Sequence, residues 1–457
     1  MPIRTNSRHE FTDSKWLELT NELLDRLRGR MSLIQPAEER LQLVAATLDA
    51  LLRERGENGF AELATEAGRR AFLQAFLSYD LIEEFLADPA VEDILINSTE
   101  PIFVHKTVHG LMKTERRFDT NRALEIFVKK LIVFAGRSEV DPINDVELAD
   151  IRGRVNIIHS PFGPQVTITR GKSTPLTILQ LIDSGMLSAE LAAQLWLYIE
   201  GLRVRSANLI IAGGPGAGKT TLLNALLSFI PSKERLVTIE DTLELNTSSL
   251  ENCSRLESCR RVKLDALVKN ALRMRPERIL VGEVRGVEAR DLMTAINLGK
   301  YCMSTIHASS ARETILRLQN EPMNVPPILV SLIDAFIILR KLNVDGKVMR
   351  IVGEVMETAG MEQQIVLLSS VWKYDAQRRQ TIEASPSSVY RDRLADESGL
   401  SAVQIMEETA RRAQVLKGMC DAGRFTTIEA VNAFCRLYID QPDQALSQLG
   451  LSAASKQ

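Results

Sequence analysis

The residues best suited to chemistry lie in one short run, Asn208-Leu-Ile-Ile-Ala-Gly-Gly-Pro-Gly-Ala-Gly-Lys-Thr-Thr-Leu-Leu-Asn224. Gly213, Gly218, Lys219 and Thr220 meet the pattern G-x-x-x-x-G-K-[ST] of a phosphate-binding loop. Glycines let successive backbone N–H groups turn toward one point and form an anion nest. A helix that begins near Lys219 aims the positive end of its dipole at the same point. On this reading Gly213, Gly214, Pro215, Gly216, Ala217, Gly218, Lys219, Thr220 and Thr221 cradle the phosphates of ATP. Lys219 reaches the β and γ oxygens, and the Thr220 hydroxyl is offered to Mg²⁺.

Hydrolysis needs more than a cradle: a held metal, an oriented water and a way to meet the charge of the transferring phosphoryl. Arg278-Ile-Leu-Val-Gly-Glu283 is an apolar strand that ends in an acid, and Leu236-Val-Thr-Ile-Glu-Asp241 is another. One of Glu240 and Glu283 polarises water while the other serves the metal; the sequence leaves the assignment open. Metal ligands are expected among Thr220, Asp241 and Glu283. His307 ends the strand Tyr301-Cys-Met-Ser-Thr-Ile-His307, where a γ-phosphate sensor would sit. Arg273, Arg275, Arg285 and Arg312 flank these motifs. Each alone reads as a solvated or ion-paired side chain, although an arginine supplied across a subunit boundary would add rate.

These groups must be held by a sheet. Strands are predicted over 209–212, 235–240, 278–283 and 301–307, alternating with helices over 219–227, 265–274, 286–298 and 311–319. Such alternation implies an α/β fold with a mostly parallel sheet and its reactive residues at strand C-termini. Before it, short strands over 92–97, 102–105, 154–158 and 165–169 with a helix over 121–136 form an α+β domain, 89–172. Gly171-Lys-Ser-Thr-Pro175 is the linker candidate. Residues 1–88 read as a helical extension: Trp16, Leu19, Leu23 and Leu27 make a helical stripe, and Gly56-Glu-Asn-Gly59 breaks the pattern. The P-loop domain is expected over 173–350. A mainly helical C-terminal extension, 351–457, follows, with capping boxes at Ser401-x-x-Gln404 and Thr426-x-x-Glu429.

Composition narrows the class. The chain has 457 residues, 45% apolar and 25% charged, with a net charge of −3. It has no global basic field and no aromatic-basic stripe, which speaks against a nucleic-acid motor. The longest apolar candidate, 328–339, is short and contains Asp334, so no membrane span is expected. The first ten residues show no apolar signal core. The five cysteines are odd in number and form no C-x-x-C, as for reduced thiols in the cytoplasm.

Taken in order, Gly213 to Thr221, Thr238-Ile-Glu-Asp-Thr242, Ala271-Leu-Arg-Met-Arg-Pro276, Val281-Gly-Glu-Val-Arg-Gly286 and Ser304-Thr-Ile-His-Ala308 resemble the motifs of the type II/type IV secretion ATPase superfamily. Those motifs are its Walker A, Asp box, Walker B and His box. The resemblance is closest to the archaeal-type branch that drives pili and the archaellum, near the Tad pilus ATPases. It rests also on Leu195-Trp-Leu-Tyr-Ile-Glu200 and Arg317-Leu-Gln-Asn-Glu-Pro322. The resemblance implies a RecA-like ATPase domain, a homohexamer and ATP-Mg²⁺ bound between two domains. It also implies a cytoplasmic face docked on a polytopic membrane platform protein that moves pilin-like subunits. Arg154 and Arg170 stand where such proteins supply arginines to the nucleotide. Leu298-Gly-Lys300 stands where Thr-Gly-His is usual, and Thr-Ile-Thr-Arg-Gly171 where Thr-Ile-Arg-Lys-Phe is. Two functions remain in view: a filament-assembly motor, and an ATP-binding regulatory module that hydrolyses weakly.

Overall fold

The chain divides between Ser173 and Thr174 into two units. The computed structural model describes residues 13–451 apart from 33–34, 56–59, 107–108, 138–140, 149–150, 152, 171–174 and 260, and 345–346. Most of the linker candidate 171–175, and the 56–59 break, lie outside the described residues.

In the first unit, strand alternation builds an antiparallel sheet. Its strands are β1 (Val91–Asn97), β2 (Phe103–Lys106), β3 (Gly110–Lys113), β4 (Ile143–Leu148), β5 (Gly153–Ser160) and β6 (Gly163–Arg170), in the order β3-β2-β1-β6-β5-β4. Val155 and Ile157 on β5 and Val166 and Ile168 on β6 are buried in alternation with more exposed neighbours. The helix Asn121–Phe134, capped by the Thr120 hydroxyl, buries Phe127, Leu131 and Phe134 in the same core. The expected helical extension 1–88 does not stand apart. Trp16, Leu19, Leu23 and Leu27 of the helix Ser14–Leu27 share one core with Phe127 and Ile168. Phe76 meets Phe134 edge-on at 6.0 Å. The helices before residue 88 and the sheet after it bury one another's apolar faces, so no core boundary falls there.

The second unit is a nine-stranded sheet. Its strands are β7 (Leu209–Gly213), β8 (Leu236–Glu240), β9 (Cys253–Glu257), β10 (Arg278–Val281), β11 (Tyr301–Ile306), β12 (Ala335–Val344), β13 (Lys347–Glu362), β14 (Ile365–Asp375) and β15 (Gln380–Glu383). They run in the order β15-β14-β13-β12-β7-β11-β10-β8-β9. From β12 to β9 the pairing is parallel; from β12 to β15 it is antiparallel. Every residue of β7, β8 and β10 is buried, as expected of parallel strands covered on both faces. Leu209 and Ile211 enter one core, Ile210 and Ala212 the other. This is the expected α/β, RecA-like arrangement, with β11 between the P-loop strand and β10.

Two expectations need correction. The boundary at 350/351 falls inside β13, and strands continue to Glu383, so the region 351–457 is not mainly helical from its start. Helices begin at Val389 and run through Val389–Ser398, Ala402–Ala422, Ile428–Asp440 and Pro442–Gln448. Ser401 and Gln404 do form a capping box. The second box does not form: the N-cap is Thr427, not Thr426, its hydroxyl accepts from the Ala430 N–H, and an alanine there has no side chain to close a box. These helices brace the P-loop strand indirectly. Arg412 makes a buried ion pair with Glu200 at 2.7 Å and lies 5.0 Å over the Trp196 ring, in the helix Ala189–Glu200 that leads to β7.

Candidate functional site

β7 delivers the chain to Gly213, and the helix Lys219–Leu226 carries it away. Between them Gly216 has φ +67° and Gly218 φ +98°, a region costly for side chains with a Cβ. A Cβ placed on Gly214 or Gly216 would meet nothing within 4 Å, so the missing side chains leave open room at the loop. Thr220 and Thr221 fall in the first turn of the helix. Lys219 is buried and folded back over the loop: Nζ donates to the carbonyls of Gly213 at 3.0 Å and Gly214 at 3.4 Å. Burial lowers its pKa, opposed by the Glu283 carboxylate.

The sheet ends join the other motifs to this lysine. His307, just past β11, places Nδ1 3.2 Å from Lys219 Nζ and Nε2 3.0 Å from Glu283 Oε1. An ammonium can only donate, so Nδ1 accepts from Lys219, while Nε2 lies beside a carboxylate oxygen, Glu283 Oε1, that has no hydrogen-bond partner among the described residues. Glu283 Oε2 lies 3.1 Å from Arg285 Nη2, which lies 3.7 Å from Asp241 Oδ2. Ser258 Oγ donates to Asp241 Oδ1 at 2.8 Å. The structure thus brings Lys219, His307, Glu283 and Asp241 together in one polar chain. Arg285, read from sequence as solvated or paired, is the ion-paired link within it.

Glu240 ends β8 in a different setting. It is 3% exposed, and Oε1 accepts from the N–H groups of Glu244 at 2.9 Å and Leu245 at 3.1 Å. Oε2 is buried without a hydrogen-bond partner among the described residues. Burial pushes the carboxyl up from 4.5 to about 7, against the pull of the two N–H groups. Gly282 gives it room: a Cβ there would stand 3.1 Å from Glu240 Cγ. Thr305 Oγ1 donates to the Gly282 carbonyl at 2.7 Å and ties β11 to this turn.

These groups fit ATP-Mg²⁺. The loop offers room that side chains would fill, and Glu240 Oε2 is a buried acceptor in want of a donor. Among the described residues no three His, Cys, Asp or Glu side chains gather as a metal cage.

Arg154 and Arg170 belong to the first unit, on β5 and β6. The Arg170 guanidinium is engaged there: Nη1 donates to the carbonyls of Phe85 at 3.4 Å, Asp88 at 2.6 Å and Val91 at 3.1 Å, closing the turn into β1. One residue at the loop carried no signal in the sequence. Arg350, on β13, donates from Nε to the Gly216 carbonyl at 2.8 Å.

The family model described as "Type II/IV secretion system protein" matches residues 79–415. The uncharacterized protein MJ0900 of Methanocaldococcus jannaschii is 32% identical over 354 residues, 74% of this chain and 63% of that protein; the chain therefore spans less than two thirds of that relative. The putative conjugal transfer protein Rv3659c of Mycobacterium tuberculosis is 31% identical over 258 residues, 52% of this chain and 71% of that protein. Among solved structures, the pilus retraction motor PilT with bound ADP is 16% identical, covers 82% of this chain and 96% of its own, and has a TM-score of 0.46.

Proposed function

The chain belongs to the Type II/IV secretion system protein family, and on that premise we propose that it hydrolyses ATP as the motor of a secretion or pilus-type system. One observation carries the hydrolytic reading. Lys219, His307 and Glu283 come together beside a glycine-lined loop, and Glu240, at the end of the neighbouring strand β8, has a buried oxygen without a partner among the described residues and a carboxyl pushed up to about 7.

Each residue then has a task. The loop N–H groups and Lys219 bind the phosphates, Lys219 exchanging the Gly213 and Gly214 carbonyls for phosphate oxygens. Thr220, with Asp241 or Glu283, would hold the Mg²⁺ that accompanies ATP and neutralises its oxygens. Glu240 acts as the base: Oε2 takes a proton from the attacking water, and its pKa lies near the working pH, where a general base is most effective. His307, held between Lys219 and Glu283, reports the γ-phosphate by losing or keeping these contacts.

The assembly is part of the same proposal. We assign a homohexamer on the cytoplasmic side of a membrane, acting through a polytopic platform protein on pilin-like or archaellum subunits. Family membership supports this reading. Among the described residues no helix is long and apolar enough to cross a membrane. Arg154 and Arg170 remain candidates for nucleotide contacts from the first unit; for Arg170 this requires release from its three carbonyl partners.

Phosphate release by the purified chain tests the proposal. Release well above a Lys219→Ala control is expected. Release no greater than that control, with the membrane partner present, would overturn the motor in favour of a weakly hydrolysing regulatory module.

A further inference from the structure

We propose that Arg350 is a positioning residue for the phosphate loop and that it ties nucleotide binding to the antiparallel half of the sheet. The inference rests on the nucleotide-binding reading above and deepens it. The loop from Gly213 to Gly218 contains four glycines in six residues and is braced at few points. Its inner brace is Lys219, on the carbonyls of Gly213 and Gly214. Its outer brace is Arg350, on the carbonyl of Gly216.

The peptide between Gly216 and Ala217 is planar, so drawing the Gly216 carbonyl toward Arg350 turns the Ala217 N–H the opposite way. That N–H donates to the Gly214 carbonyl at 3.2 Å and keeps the loop curled. Arg350 Cδ also lies 3.7 Å, and Met186 Cε 3.4 Å, from where a Cβ of Gly218 would stand. Met186 is held by the same strand: its carbonyl accepts from the Val352 N–H at 2.9 Å. One strand, β13, therefore flanks the loop through Arg350 and through Met186.

The strand is also in register with the base of the loop. Arg350 pairs with Lys341 of β12, and Leu339 of β12 pairs with Gly213 of β7. A guanidinium bonded to a carbonyl is a charge-assisted contact, stronger than one between neutral groups. Glycine-rich backbone loses much freedom on ordering, so bracing the curled loop in advance lowers the cost of binding. Nucleotide that fixes the loop would in turn fix Arg350, and with it the β12–β13 pair.

The test uses the full chain and a fluorescent ADP analogue, with steady-state ATP hydrolysis in parallel. Arg350→Ala should weaken analogue binding and raise KM about tenfold, the effect of one charge-assisted bond, while kcat stays within about threefold. Arg350→Lys, which can still donate to Gly216, should recover binding to within about threefold of wild type. Melting temperature should be the same for all three proteins. Analogue binding by Arg350→Ala within about twofold of wild type would overturn the proposal. So would a loss of binding that follows a fall in melting temperature and is not restored by lysine. A wild type that binds the analogue without hydrolysing ATP would overturn the hydrolytic reading alone, because the binding comparison still decides the role of Arg350. A wild type that binds no nucleotide would overturn both.

Discussion

Glu240 ends β8, and Glu283 follows the neighbouring parallel strand β10 by two residues, yet the protein surrounds them differently. Glu283 meets a cation: Arg285 Nη2 lies 3.1 Å from Oε2, and the His307 imidazole lies beside Oε1. Glu240 faces no cation within bonding distance among the described residues. It takes two backbone N–H groups on one oxygen, nothing on the second, and a raised pKa from burial. The same side chain becomes an anchored anion at one strand end and a poised base at the other. The difference comes from the turn that follows each strand. After Glu240 the chain turns back so that Glu244 and Leu245 present their N–H groups to it, whereas after Glu283 it places Arg285 two residues on.

Substitutions can break this contrast. The largest effect is expected from Lys219→Ala, which removes the phosphate cation shared by both halves of the site; phosphate release should fall by on the order of a thousandfold or more, with loss of analogue binding. Glu240→Gln should lower phosphate release by about a hundredfold or more and leave ADP-analogue binding within about threefold, since only proton abstraction is lost. His307→Ala frees both Lys219 and Glu283 and should cost about tenfold to a hundredfold in kcat with smaller change in KM. Gly282→Ala should be milder, about tenfold in kcat, because its Cβ would stand 3.1 Å from Glu240 Cγ and displace the base without removing it.

The pH dependence sharpens the contrast further. Between about pH 4.5 and 7 the folded chain holds a proton on Glu240 that the unfolded chain has released. Stability from this group is therefore full below that window and is lost as pH rises through it, by about 3 kcal/mol in all. Thermal melts of wild type and Glu240→Gln at pH 5 and pH 8 check the sign: the variant should gain on the wild type at the higher pH. The rate runs the other way. Activity of the wild type should fall as pH drops below about 7 and Glu240 takes up its proton, and that limb should be missing from the residual activity of Glu240→Gln.

Much of the site could be read in the sequence because its signals are local. The glycines before Lys219, and the apolar runs ending at Glu240 and near Glu283, each declare a strand end within a few residues. The rest depends on pairing between distant segments. β9, Cys-Ser-Arg-Leu-Glu, is an edge strand with no fully buried residue, so it lacks the apolar run that marks its neighbours. β13 passes through the expected domain boundary because its partners are β12 and β14, not anything in its own composition. Arg350 reaches Gly216 only because that pairing carries it there, 134 residues along the chain. The helices before residue 88 look like a separate extension because their stripe is self-consistent; only the shared core shows that their apolar face belongs to the sheet unit. Arg170 followed a family pattern, while its local geometry spends it on three carbonyls of its own unit.

The most direct test of the central claim is phosphate release from ATP by wild type, Glu240→Gln and Lys219→Ala, with analogue binding measured on the same samples. The expected result is turnover by the wild type alone, with Glu240→Gln binding nucleotide normally and Lys219→Ala not binding it. Wild-type turnover by Glu240→Gln, or a wild type no faster than Lys219→Ala, would contradict it.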